Sequence, residues 1–131
     1  MATSNEPYVY DTGALLAAEA GDRRLWWLRR QSVIDGARVI VPAVVLAQAW
    51  RGGPRQALLA KLLKTTEVEP TTDAMARAAG ALCGRARTSD VVDAIVATTA
   101  ISYRATIVTC DTDDIQRLLD AANCGLSLVR V

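Results

Sequence analysis

Arg38-Val39-Ile40-Val41-Pro42-Ala43 is the stretch whose reading decides the fold. Three β-branched residues in succession pack well on a pleated surface, and without polar alternation they read as a strand buried on both faces. Pro42 breaks the run and sets φ near the helical value, so a helix opens over residues 43–51. A strand covered on both sides and feeding straight into a helix is the unit of a parallel sheet, not of a hairpin.

The same punctuation recurs on either side. Residues 7–10 read as a short buried strand running into Asp11, followed by a helix over 12–20 that stops at Gly21 and a second over 23–34 closed by Gly36. After Gly52-Gly53-Pro54, residues 55–63 form an amphipathic helix with Leu58, Leu59, Leu62 and Leu63 on one side, and 66–69 a short edge strand. A helix over 72–83 ends at Gly84, and another starts at Ser89-Asp90 and runs to Tyr103. Residues 105–109 are a buried strand, 113–122 a helix stopped near Gly125, and 126–131 a last strand. Strands alternating with helices predict an α/β fold with a central parallel sheet covered on both faces. No repeat, low-complexity tract or linker divides residues 1–131, so a single domain is expected.

With 51% of 131 residues apolar, the chain can bury a core without staples. No apolar run approaches the roughly 20 residues of a membrane span. The opening Met1-Ala2-Thr3-Ser4-Asn5-Glu6 lacks the basic-then-apolar order of a signal peptide, so a cytoplasmic protein is expected. Cys83, Cys110 and Cys124 show no CxxC spacing and there is no histidine, which removes the usual zinc sites and histidine-based triads together. Any metal must be held by oxygen. The net charge of +1 excludes a strongly basic protein, but lysine occurs only at Lys61 and Lys64; the remaining basic residues are arginine, whose planar fork suits phosphate or carboxylate.

The chemistry lies in aspartates at three separated points: Asp11 after the first strand, Asp90 and Asp93 at a helix start, and Asp111 after Thr106-Ile107-Val108-Thr109. In an open parallel sheet, ligands bind outside the carboxyl ends of the strands where the strand order reverses. If the strands ending at Asp11 and Asp111 are neighbours, their carboxylates share one cleft. Asp90 and Asp93, three apart, share a helical face near its N-terminus, with Val91, Val92, Ile95 and Val96 expected to face the core. Converging carboxylates repel unless a divalent cation neutralises them. Each residue also has a structural reading: Asp11 and Asp90 as helix caps, and Asp111-Thr112-Asp113-Asp114 as a solvated turn. Asp93 fits that reading least, because it stands beyond the cap among apolar residues.

The order of Tyr8-Val-Tyr-Asp-Thr-Gly-Ala-Leu-Leu-Ala17, Asp90-Val-Val-Asp-Ala-Ile-Val-Ala97 and Ile107-Val-Thr-Cys-Asp-Thr-Asp-Asp114 resembles the PIN domain family, and within it the VapC-type toxins of bacterial toxin–antitoxin pairs. The resemblance spans nearly the whole chain. It implies a three-layer α/β/α sandwich and an endoribonuclease dependent on Mg²⁺ or Mn²⁺, hydrolysing RNA with a metal-activated water. On that pattern Asp11, Asp93 and Asp111 are catalytic and metal-binding, with Asp90 and Asp113 as auxiliary metal ligands. It also implies an antitoxin partner that wraps the toxin and sends an arginine into the acidic cleft.

One position departs from the pattern. PIN nucleases commonly carry a glutamate in the helix after the second strand, where this chain has Gln48. An amide can orient water or bind weakly through its carbonyl but adds no charge, so the alternative is a degenerate PIN module that binds RNA or a partner without cutting. Spacing alone suggests Asp90 as a replacement for the missing charge. Candidate RNA contacts are Arg51 and Arg55, which flank the Gly52-Gly53-Pro54 turn, and secondarily Arg85 and Arg87. Adjacent Trp26 and Trp27 cannot both face the core of one helix, which predicts a surface patch for a partner helix or a homodimer contact.

Overall fold

The computed structural model describes residues 6–131; the signal-peptide reading of residues 1–5 lies outside the described residues. Five strands, β1 (Tyr8–Tyr10), β2 (Val39–Pro42), β3 (Glu67–Glu69), β4 (Thr106–Thr109) and β5 (Leu128–Arg130), form one sheet in the order β3-β2-β1-β4-β5 with every pairing parallel. Seven α-helices connect them: α1 (Thr12–Glu19), α2 (Arg23–Ile34), α3 (Ala43–Ala49), α4 (Ala57–Leu63), α5 (Asp73–Ala86), α6 (Val91–Tyr103) and α7 (Thr112–Ala121). Residues 39–42 and 106–109 are buried throughout, whereas edge strand β3 is mostly exposed, as the β-branched runs require.

The chain moves one way from β1 to β3 and then returns to the other side of β1 for β4 and β5. Right-handed crossovers therefore place α1–α4 on one face and α5–α7 on the other, giving the three-layer α/β/α sandwich. Helix α3 touches both α1 and α6, so it bridges the two layers at the carboxyl end of the sheet. The core is built around Val9, Tyr10, Ile40, Ile107 and Val108, with Leu15, Leu25 and Leu59 from one face and Ile95, Val96 and Ile115 from the other.

Some element ends and one expected core residue differ from the sequence reading. Helix α5 passes through Gly84 and ends at Arg87, which takes the left-handed conformation at φ 57°; Arg104 and Asn123 close α6 and α7 in the same way at φ 53°. A glycine stops a helix only where the backbone turns left-handed, and within a helix it merely costs about 1 kcal/mol relative to alanine. Residues 55 and 56, expected within one helix with 57–63, belong instead to a separate 3₁₀ turn over Pro54–Gln56. Val91 is 54% exposed instead of core-facing, because it is the first residue of α6; Ile95 and Val96, a turn later, are the ones that reach the interior.

One buried cation was not anticipated. Arg29, on α2, donates through Nε to Thr65 Oγ1 at 3.1 Å and through a terminal nitrogen to the Thr65 carbonyl at 2.7 Å, tying α2 to the end of α4. Its other terminal nitrogen reaches Ser32 Oγ at 3.0 Å. Arg29→Ala removes these charge-assisted bonds and the packed methylenes, and is expected to destabilise the protein by about 2–3 kcal/mol in urea unfolding. A change within a few tenths of a kcal/mol would show that the tie adds nothing net to stability.

Candidate active site

Strands β1 and β4 are adjacent, and the strand order reverses between them. Asp11 follows the end of one and Asp111 the end of the other. Both therefore stand at the switch point where α/β sheets bind ligands.

Asp11 is in extended conformation and caps α1, its Oδ1 accepting from the Ala14 amide at 2.9 Å. It is only 5% exposed. Burial pushes its carboxyl above the ordinary value, hydrogen bonds from Thr109, Ala14 and Gly13 oppose that, and the charge of Asp111 adds to the rise. Gly13 is needed here for close approach: a Cβ would lie 2.2 Å from Cys110 Sγ. A side chain at that position would force apart the two turns that carry Asp11 and Asp111.

Asp90 caps α6 and Asp111 caps α7, accepting from the amides of Asp93 at 3.1 Å and Asp114 at 3.3 Å. Three helices thus begin at one cleft, each with an aspartate at its cap and its positive dipole end toward the site. The capping role foreseen for Asp11 and Asp90 is present, and Asp111 shares it. Capping does not account for Asp93. Its half-buried carboxyl is pushed up to about 7, first by burial and then by Asp90, Asp11 and Asp114.

Asp114 is the acidic residue that sequence reasoning passed over. It lines a cavity of about 140 Å³ together with Thr88, Asp90, Asp93, Arg117 and Leu118, and its carboxyl is raised by a hydrogen bond with Asp111 and by that residue's charge. Asp113, the auxiliary expected from the motif, is exposed on the first turn of α7 and is not part of that lining. A signal for Asp114 was available: Asp90-Val91-Val92-Asp93 and Asp111-Thr112-Asp113-Asp114 repeat one cap-plus-three spacing, which sends both second carboxylates the same way.

Gln48 reaches the same end of the sheet, where its Oε1 accepts from the Thr12 hydroxyl. Arg51 is exposed, and its guanidinium folds back onto the carbonyls of Ala47 and Trp50 at 3.3 and 2.8 Å, satisfying the end of α3. Arg55, Arg85 and Arg87 are exposed. Buried Gln56 holds the turn between Arg51 and Arg55, accepting from the amides of Arg51 and Gly52 at 2.8 and 3.0 Å while donating to Ala49 O and Glu19 Oε1.

The cleft's oxygen donors are chiefly carboxylates, which suits a hard divalent cation. Among the described residues no three acidic or cysteine side chains are grouped so as to hold an ion in their present arrangement. Two of the carboxylates, Asp90 and Asp111, are turned to the amides that they cap.

On the α1–α4 face, Trp26, Trp27, Leu58 and Gly21 line a groove of about 590 Å³ edged by Arg23, Arg30 and Lys61. Trp26 is partly buried and donates from its indole to Ala18 O at 3.0 Å, while Trp27 is 56% exposed, as their adjacency predicted. Among the described residues no helix is long and apolar enough to cross a membrane.

No curated protein sequence matches this chain. Among solved structures, it is similar to a chain of VapBC2 from Rickettsia felis bound to a DNA fragment from the promoter, at TM-score 0.70 and 17% identity over 95% of this chain and 98% of that one. FitAB bound to an IR36 DNA fragment follows at TM-score 0.67 and 14% identity, covering 94% of each chain. PAE2754 from Pyrobaculum aerophilum has TM-score 0.59 and 21% identity over 88% of this chain and 86% of that one. At these identities the likeness is one of fold. The PIN domain family model matches residues 8–120, and with it the chain belongs to the PIN domain family.

Proposed function

We propose that residues 1–131 act as one PIN domain, a VapC-type toxin that hydrolyses RNA phosphodiesters with Mg²⁺ or Mn²⁺ in the cytoplasm, restrained by an antitoxin. The observation that carries this reading is the meeting of Asp11 and Asp111 at the switch point with Asp93, whose carboxyl is held up near 7 by burial and by neighbouring aspartates. Asp11, Asp93 and Asp111 would hold the ion, with Asp90, Asp113 and Asp114 as further carboxylates nearby. When bound, such an ion activates water and stabilises charge on the phosphate. The chain's own residues position it: Thr109 and the amides of Gly13 and Ala14 fix Asp11, and the caps of α6 and α7 fix the aspartates opposite. Arg51 and Arg55 stand on the turn set by Gln56 as RNA contacts. The groove beside Trp26 and Trp27 is where an antitoxin segment would lie, and a homodimer is expected through the remaining apolar surface. Support for the antitoxin comes from the Rickettsia felis neighbour, which is a VapBC2 assembly.

Purified protein, free of antitoxin, should cut a mixed RNA pool into discrete fragments in Mg²⁺ or Mn²⁺ and leave it intact in EDTA. No cleavage, with the divalent ion still raising the melting temperature, would support the rival reading of a PIN module that binds without cutting.

Gln48 motivates that rival and also offers a graded test. A glutamate at position 48 would still accept the Thr12 hydroxyl and would add one negative charge at the carboxyl end of the sheet. Gln48→Glu is expected to tighten Mg²⁺ binding about 10-fold by calorimetry, since ligand charge sets the affinity of oxygen sites. Unchanged affinity would place this side chain out of the ion's reach.

A further inference from the structure

We infer that Arg117 contacts the scissile phosphodiester, a role that rests on the reading above that the cleft receives RNA. Arg117 lies on α7, one turn beyond Asp114, and lines the small cavity that Asp90, Asp93 and Asp114 also face. It is the one cation in that lining. Among the described residues the ion pairs are Arg38–Glu67 and Arg77–Asp73, so Arg117 forms none although three carboxylates border the same space. It is nevertheless close enough for its charge to oppose the rise at Asp114.

An arginine serving only to neutralise the empty cleft would close onto one of those carboxylates, because a bidentate pair is the favoured geometry for a guanidinium. Held on a helix without such a pair, its planar fork keeps its donors for another oxyanion. A phosphodiester entering this cleft meets the aspartates at the starts of α1, α6 and α7. A bound cation offsets part of that repulsion from one side, and Arg117 offsets it from the α7 side, where two non-bridging oxygens match its fork. The contact orients the phosphate and stabilises the charge that grows on it in the transition state.

The test compares wild type, Arg117→Ala, Arg117→Lys and, as a surface control, Arg77→Ala. Binding of a short mixed-sequence RNA is followed by fluorescence anisotropy across a salt series with Ca²⁺ in place of Mg²⁺, the RNA being checked for intactness. Cleavage is measured separately in Mg²⁺, and melting temperature reports folding. Arg117→Ala is expected to bind about 10-fold more weakly, as for loss of a charge-assisted contact. The slope of log affinity against log salt should be shallower by about 0.7, the value for one phosphate of a single strand. Cleavage should fall about 100-fold, as for loss of one transition-state donor. Arg117→Lys should recover the slope but only part of the rate, since a point charge replaces the fork. A slope and affinity equal to wild type in Arg117→Ala, or an equal loss in Arg77→Ala, would overturn the assignment. An Arg117-dependent slope in a protein that cuts no RNA leaves this contact standing and removes the nuclease, whereas cleavage with an Arg117-independent slope does the reverse.

Discussion

Asp11→Asn is expected to lower metal-dependent RNA cleavage by about 1,000-fold or more while the protein melts at or above the wild-type temperature. Asparagine caps a helix as well as aspartate does, so the bond from the Ala14 amide survives the change. What disappears is a negative charge that is almost fully enclosed and whose ionised form burial disfavours. Removing it costs the fold nothing and costs a bound cation a primary ligand. The pairing of the two measurements is what decides between roles. Lost cleavage together with a lowered melting temperature would mean that the Asp11 charge serves the fold and not the chemistry alone, and cleavage within a few-fold of wild type would remove it from the chemistry altogether.

The sheet was legible because its central strands carry the signal locally. Val39-Ile40-Val41 and Thr106-Ile107-Val108-Thr109 are apolar or β-branched throughout, and only burial on both faces makes such runs stable. The end of α6 at Tyr103 was legible, but those of α5 and α7 were less so, because glycine is the commoner left-handed residue and here Arg87 and Asn123 take that conformation. Asparagine enters that region several-fold more often than most residues, so Asn123 carried a signal, whereas arginine has no such preference and Arg87 carried none. In the site, residues at strand ends could be placed from order alone, as with Asp11 and Asp111. Asp114 could have been placed from the repeated cap-plus-three spacing, but Arg117 and the Gly13–Cys110 approach depend on how α7 and α1 are rotated about their axes, which is set by packing between elements distant in sequence. Arg29 escaped notice for the same reason: its partner Thr65 is 36 residues away.

The caps and the candidate chemistry are one device, not competing readings. A carboxylate at a helix N-terminus is favoured by the amides it accepts from and by the macrodipole, which is why Asp11, Asp90 and Asp111 stand where α1, α6 and α7 begin. Three such caps at one switch point concentrate negative charge where the sheet topology leaves a cleft. Asp93 is then the residue that bears the electrostatic consequence, being half-buried and surrounded by the others.

Asp93→Asn should make the metal-free protein more stable at pH 8 and leave it unchanged at pH 4. The folded carboxyl titrates at about 7, against roughly 3.9 for an unfolded aspartate. A raised value means that the folded state holds the proton more tightly, so this group's stabilising contribution is complete below pH ~4 and is lost as pH rises through about 7. Because the side chain is only half enclosed, solvent screening reduces the penalty at pH 8 to roughly 1–2 kcal/mol, or about 3–8 °C in melting temperature. A divalent cation reverses the effect by favouring the carboxylate, so Mg²⁺ should raise the wild-type melting temperature more at pH 8 than at pH 5, and should raise that of Asp93→Asn far less at either pH. Asp11 and Asp114 shift in the same direction, so the difference between variant and wild type, not either curve alone, isolates Asp93. Parallel curves across pH 4–8, with and without Mg²⁺, would show that Asp93 neither titrates near neutrality nor meets the ion.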